Sequence, residues 1–414
     1  MKNLLYTLLV AFLLVSCFND PDDEFVEQCA TPTNLQVADI NIESASISWE
    51  DEDNVASYTI EYGISGFVLG TGTILTSTDT SLSLSGLMAN TTYDVYVQTM
   101  CSATNISMPS DVSSFTTLPS LVIPQFLTNL SELNLFSGDL NDLSPSIYAF
   151  EYNLNSALFT DYAHKQRLIA LPPGESMEYV DNGFPNFPDN TLIAKTFFYF
   201  NDERDESLGK KIIETRVLIK QSGEWVLGNY TWNDAQTEAV LDDTGSTVAV
   251  TFVDKNGANY DVNYEVPSGT DCFTCHNNNN IVTPIGPKLR SMNFNNQLQD
   301  LIASNALTNL TDVTGIAVLP NWEDDTTYTL EQRARAYFDI NCAHCHEPGG
   351  FCENQSPLDL RYETRFGDTN IFERRFSIRT RTQTTIENYG MPYIGTTILH
   401  DEGVALIEEF IDSL

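Results

Sequence analysis

Two short strings, Cys272-Phe273-Thr274-Cys275-His276 and Cys342-Ala343-His344-Cys345-His346, constrain this chain more than anything else in its 414 residues. Each reads C-x-x-C-H. Two thiols three residues apart on one helical turn can each form a thioether with a haem vinyl group. The histidine that follows directly is then placed under the iron, so the pattern is the signature of covalent haem attachment. With 8 Cys and 5 His in the chain, composition alone gives roughly 0.002 such pentads. Two are present.

Two other chemistries use C-x-x-C. A pair of such motifs can supply four thiolates to zinc, and a single one can be a thioredoxin-like dithiol, although neither motif sits in a visible βαβ pattern. Zinc does not need a histidine directly after both second cysteines. Haem c does, which makes Cys272, Cys275, His276, Cys342, Cys345 and His346 the expected attachment and proximal-ligand residues of two haems.

The N-terminus reads as an export signal. Lys2 precedes a mainly apolar run from Leu4 to Val15, too short to span a bilayer. Leu14-Val15-Ser16-Cys17 resembles a bacterial lipobox, which implies cleavage after residue 16 and acylation of Cys17; an ordinary signal peptide with an incidental cysteine is the alternative. The acidic run Asn19-Asp20-Pro21-Asp22-Asp23-Glu24 reads as a solvated linker. It also resembles the tether that carries lipoproteins of Bacteroidota to the cell surface. The expected location is therefore the cell envelope, at the outer membrane or cell surface, with the periplasmic side as an option, and the membrane contact is the lipid anchor. A formal net charge of −37 excludes a nucleic-acid role, because phosphate would be repelled. It favours a redox partner protein with a basic docking face.

Residues 30 to 117 alternate as short strands between turn signals, the pattern of an all-β sandwich. Pro32-Thr33-Asn34-Leu35, Trp49 and the Leu87–Thr91–Tyr93 spacing resemble the first strand, core tryptophan and tyrosine corner of a fibronectin type III domain. That resemblance implies a disulfide between Cys29 and Cys101, which bracket the domain. A ligand- or glycan-binding module and a spacer lifting the rest off the membrane are the two readings of its role.

After a linker at 118–124, residues 125 to 190 look irregular, loop-rich and aromatic. Strands are then expected at Leu192 to Phe200, Ile212 to Lys220, Trp225 to Trp232, Val248 to Val253 and Tyr260 to Val266, with Asn256-Gly257 turning the last hairpin. Thr329 and Gln332 form a capping box ahead of a helix burying Leu330, Ala334, Tyr337 and Phe338. Val404, Ile407, Phe410, Ile411 and Leu414 mark a second amphipathic helix. Helix, haem motif, a Met391-Pro392 loop and a closing helix in this order resemble a small class I cytochrome c domain. The fold class expected is thus multidomain: an all-β fibronectin type III sandwich (29–118), a mainly antiparallel β region (125–270), a first haem segment (271–325) and an α-helical cytochrome c-like domain (326–414). Ahead of them stand the signal (1–16) and acidic tether (17–28).

A longer resemblance runs from about 130 to the end. It is carried by Leu158 through Ala163 with Lys165 and Arg167, Glu214-Thr215-Arg216, Tyr230 through Asp234, Pro267-Ser268, Arg333 through Tyr337, and Asn341 through His346. These are similar to a family of exported dihaem c-type cytochromes, and the resemblance implies haem and electron transfer but no substrate. Met391 is the expected sixth ligand of the second haem, against the alternative of a core methionine. For the first haem Met292, His164 and His400 are rivals, with an open site as the other outcome and a structural role as the ordinary fate of a lone histidine. Arg361, Arg365, Arg374, Arg375, Arg379 and Arg381 suit haem propionates, or a solvated basic loop. Cys352 is expected to be a buried free thiol. The leading function is a lipid-anchored electron carrier. A dihaem enzyme, peroxidase-like or oxidase-like with an open first haem, and a surface-binding lipoprotein with zinc on its C-x-x-C pairs, are the alternatives.

Overall fold

A computed structural model describes residues 29–51 and 57–414. The expected signal, Cys17 and the acidic tether lie outside the described residues. The described residues divide into two compact units, one ending at 120 and the other running from 121 to 414.

The first unit is a sandwich whose strands follow the alternation of its sequence. β1 (Thr33–Ala38), β2 (Ser44–Glu50) and β5 (Ser81–Ser85) make one sheet; β3 (Tyr58–Ile64), β4 (Thr73–Ser77), β6 (Thr92–Ser102), β7 (Asn105–Ile106) and β8 (Ser113–Thr116) make the other. Ala45, Ile47 and Trp49 alternate inward to meet Ile60, Leu84, Val95 and Val97 in one core, as a half-buried strand requires. Met88 N donates to the Tyr93 hydroxyl at 2.9 Å, the tyrosine corner expected from the spacing. Cys29 and Cys101 are joined in a disulfide.

The second unit is built on a six-stranded antiparallel sheet with the order β15 (Ala239–Leu241), β14 (Glu224–Trp232), β13 (Lys210–Gln221), β12 (Leu192–Phe200), β10 (His164–Ala170), β9 (Ala149–Glu151). A hairpin of β16 (Ser246–Val253) and β17 (Asn259–Val266) packs Val250, Phe252, Val262 and Tyr264 against Phe197 and Tyr199. Its turn carries Gly257 at φ +85°, but the loop runs over residues 254–258, longer than a two-residue turn at Asn256-Gly257. Short pairings complete the strands: β11 (Met177–Glu178) with β20 (Leu307–Thr308), and β18 (Asn277–Asn278) with β19 (Ile281–Val282). The helices are α1 (Gly269–Cys275), α2 (Leu289–Met292), α3 (Gln297–Ala303), α4 (Leu330–Asn341), α5 (Ile371–Thr382) and α6 (Asp401–Asp412).

One sequence expectation fails here. β9 and β10 run through the stretch read as irregular, and β10 is an interior strand. Its first half, His-Lys-Gln-Arg, lacks any apolar alternation because Lys165 and Arg167 occupy the face that an apolar pair would normally fill. The expected C-terminal helices are present. α4 starts at the Thr329/Gln332 capping box, and α4, α5 and α6 close a core of Ala334, Phe338, Ile371, Leu406, Ile407 and Phe410.

Candidate functional site

The first motif ends α1. Ser268 caps this helix, its hydroxyl accepting from Asp271 N while the Asp271 carboxylate accepts from Ser268 N. The helix closes on His276, whose N–H donates to Cys272 O at 2.9 Å. Asn279 and Asn280 then adopt φ +53° and +62°, as a two-residue hairpin turn demands. The turn folds β19 back so that Thr283 O accepts from His276 Nδ1 at 2.8 Å. The proton is thereby fixed on Nδ1, and the Nε2 lone pair is left for a ligand. Burial, reinforced by the Lys195 charge, holds the imidazole pKa down to about 3.

The second motif ends α4. Cys342 N and Ala343 N both donate to Phe338 O, Cys345 N and His346 N to Cys342 O, and Leu360 N to His346 O. The Nδ1 atoms of His344 and His346 are buried without partners. Burial holds His346 down to about 4 and pushes the Cys342 thiol up to about 12. A cavity of about 210 Å³ opens beside the motif, with Cys342, Cys345, His346, Phe338, Ile378 and Met391 in its wall.

The two motifs meet. Sulfur atoms of Cys275 and Cys345 and a ring nitrogen of His344 all lie within 4.8 Å of one another. Cys345 also faces Cys352, and donation toward Cys275 and Cys352 pushes its pKa up while drawing that of Cys275 well down. Backbone stitching holds the pair together. Asn279 N donates to Gly349 O at 2.8 Å and Asn278 Nδ2 to Pro348 O at 3.0 Å. At Gly349, φ is +78° and a Cβ would sit 2.3 Å from Asn279 Nδ2, so only glycine lets the two turns approach this closely.

A clasp from the start of the sheet closes the site. The buried Asp161 carboxylate accepts from Thr397 N, Thr397 Oγ1 and Ile398 N, and the Tyr162 hydroxyl donates to Glu402. Phe159 N donates to Asn341 Oδ1. These bonds fix the loop carrying Met391-Pro392-Tyr393 between the motifs. Met391 N donates to Arg381 O, and its side chain borders both the second-motif cavity and a neighbouring one shared with Cys342 and His400.

The other expected residues are distributed as follows. Met292 is fully buried in the apolar core under the sheet. His164 bonds Glu203 at 2.8 Å. His400 bonds the Tyr337 hydroxyl and stacks on Phe159. Of the six arginines, Arg374 and Arg381 border the second-motif cavity; Arg361 pairs with Asp359, Arg379 with Asp412, and Arg375 lies over Phe372. Cys352 is half-buried in the cavity wall beside Cys345, not buried alone. Sequence reasoning passed over His344, although it lies inside the second motif, because C-x-x-C-H assigns no role to its middle positions. It also passed over Lys195, which lines a small cavity with Cys272, Cys275, His276 and Arg216. Burial and the charges of Arg167 and Arg216 bring the Lys195 ammonium down to about 7.

Residues 30–116 match the family model of the fibronectin type III domain. The N-terminal sandwich is a fibronectin type III domain. Similar solved structures include the fn3 domain of human contactin 1, at 26% identity over 22% of this chain and 77% of that one, TM-score 0.20. Another is the FN5 domain of Drosophila Lar, at 16% identity over 22% and 99%, TM-score 0.19. No curated protein matches the chain. No helix among the described residues is long and apolar enough to cross a membrane.

Proposed function

We propose that this chain is a dihaem c-type cytochrome of the cell envelope that passes single electrons between partner proteins, held to the membrane by a lipid on Cys17. One observation carries the reading: two C-x-x-C-H motifs 70 positions apart lie side by side, with their second thiols, Cys275 and Cys345, within 4.8 Å. The donor set fits covalently attached haem. Each motif offers two free thiols, His276 presents Nε2 with Nδ1 tied back, and an orphaned ring nitrogen of His346 sits beside a cavity. Haem bound there supplies an iron that gains and loses one electron. The chain's own part is to hold the two sites close, to exclude water through the clasped 391–398 loop, and to tune potential through the ligands it offers.

In this reading His276 and His346 would hold the two haem irons, and Met391, which lines the same cavity as His346, would supply the second ligand at that site, within a class I cytochrome c-like domain of α4, α5 and α6. Met391→Ala should abolish the weak red charge-transfer band of ferric His/Met ligation and lower that haem's potential with both thioether links intact. Persistence of the band would assign Met391 to packing.

A second reading has an observation of its own. Cys275, His344 and Cys345, with Cys352 adjacent, are three or four soft donors suited to zinc. The set differs from the four C-x-x-C thiols expected, since Cys272 and Cys342 lie outside it. An enzyme with an open first haem draws support from the engagement of Met292, His164 and His400 elsewhere, and peroxide or small-ligand binding to the reduced protein tests it.

Protein matured in a host with haem-attachment machinery separates these readings. Two haems per chain should survive denaturation, and Cys272→Ala and Cys342→Ala should each lower the count. A blank haem-stained gel with zinc bound instead would sink the cytochrome. The native protein should also partition with membranes through Cys17, and Cys17→Ala should release it.

A further inference from the structure

A transverse polar row crosses the face of the six-stranded sheet that lies under the first motif. Register sets Arg167 on β10 opposite Lys195 on β12, Lys195 opposite Arg216 on β13, and Arg216 opposite Asn229 on β14. Tyr152, whose N–H donates to Arg167 O, extends the row beyond β9. The next row on this face is apolar throughout: Ile169, Ile193, Leu218, Leu227.

Three cations directly opposite one another on neighbouring strands repel, and burial removes the water that would screen them. Arg216 bonds Glu214 at 2.5 Å. Among the described residues neither Arg167 nor Lys195 forms an ion pair with a carboxylate at contact distance; Glu151 acts on Arg167 and Glu214 on Lys195 only from farther away. Asp161, the other buried acid nearby, is committed to Thr397 and Ile398. Polar atoms are left over: Arg167 Nε, Arg216 Nε, Tyr152 Oη and both amide atoms of Asn229 are buried with nothing to bond, in residues of which Arg167 is 5% exposed and Tyr152 and Asn229 are 0%. The Phe197 ring takes up part of the field, with Lys165, Lys195 and Arg216 at 5.7, 6.0 and 4.3 Å from its centre, but a ring face supplies no lone pair for the unmet donors. Lys195 and Arg216 also open onto the small cavity beside Cys272 and His276. A chain of net charge −37 has thus placed three cations in one row with a single carboxylate, Glu214, in contact with them.

We propose that this row is an oxyanion-binding floor, in which Lys195 and Arg216, backed by Arg167, hold a carboxylate in the cavity next to the first motif. A carboxylate brings the charge and the lone pairs the row lacks. It has two possible sources of the same chemistry: a propionate of a haem attached at Cys272 and Cys275, which rests on the proposed function, or a free small oxyanion.

The full-length protein, with and without haem attachment, tests this against Lys195→Met, Lys195→Arg and Arg167→Met, using sodium acetate and sodium nitrite at fixed ionic strength as free probes. For a tethered propionate, Lys195→Met lowers the potential of one haem, Lys195→Arg restores it, and neither anion moves the melting temperature of the haem-loaded wild type. For a free oxyanion, acetate or nitrite raises the wild-type melting temperature and fails to raise that of Lys195→Met. If the potential stays unchanged in the variants and neither anion stabilises the wild type with or without haem, the row holds no ligand and the inference is overturned. Absence of haem would remove the proposed function alone, because the anion titration of the haem-free wild type still decides the floor, with no variant required to fold.

Discussion

At the scale of single residues, the neutral state of buried imidazole sets a pH dependence. The His400 ring stacks on Phe159 at 4.1 Å and bonds the Tyr337 hydroxyl at 2.9 Å. Its side chain is 13% exposed, and burial takes its pKa from 6.5 to about 4. The unfolded chain binds the proton more readily throughout that window. Stability is therefore complete above about 6.5, falls as pH drops toward 4, and falls no further from this source below it. The gap is worth roughly 3 kcal/mol at most. Urea unfolding of haem-free His400→Phe should show a shallower loss between pH 6.5 and 4 than the wild type, with a residual slope from His276 and His346, which are depressed in the same direction. An unchanged slope would mean that His400 is already protonated in the folded protein. Residues of this kind divide sharply by how readable they are. Cys272, Cys275, Cys342 and Cys345 announce themselves by spacing. Arg167, Lys195 and Arg216 come from three strands, and only the register brings them into one row.

At the scale of elements, the sequence was most readable where one face of an element is apolar. β12 spans the residues expected of it, and α4 begins at its capping box. β10 was missed because a cation-bearing strand under a polar site loses the alternation that identifies strands. The packing of α4 on α6 depends on a feature no pattern displays. Gly403 stands where a Cβ would meet the Tyr337 hydroxyl at 2.2 Å. Gly403→Ala should gain up to about 1 kcal/mol of helix propensity and lose about 1–3 kcal/mol to overpacking. The expected net is a destabilisation of about 1–2 kcal/mol in urea unfolding, with the Tyr337–His400 bond displaced. A variant as stable as the wild type would show that Tyr337 can swing clear.

At the scale of the molecule, the fibronectin type III domain was legible as a domain, since its core alternates regularly and its tyrosine corner has a fixed spacing, while its short strands β4, β5, β7 and β8 were not. The rest, read as three successive segments, is one compact unit, because what unites it is long-range. The disulfide between Cys29 and Cys101 spans 72 positions; by loop-closure entropy it stabilises the first unit by about 4 kcal/mol. Cys101→Ala should lower the denaturant midpoint reported by Trp49 in proportion, and an unmoved midpoint would mean the bridge constrains nothing that unfolding frees.

The Asp161 clasp has a consequence in time as well as in space. Its partner Thr397 follows 236 positions later, and a chain is synthesised at about 5–20 residues per second. Asp161 therefore waits on the order of 10–50 seconds for the segment it will hold. The first motif is completed near the middle of that interval and exists without its covering loop for the second half of it, and the second motif does so for the last few seconds. Any chemistry that must reach those four thiols has its easiest access before the clasp shuts, and a thiol not yet used has to be kept reduced until then.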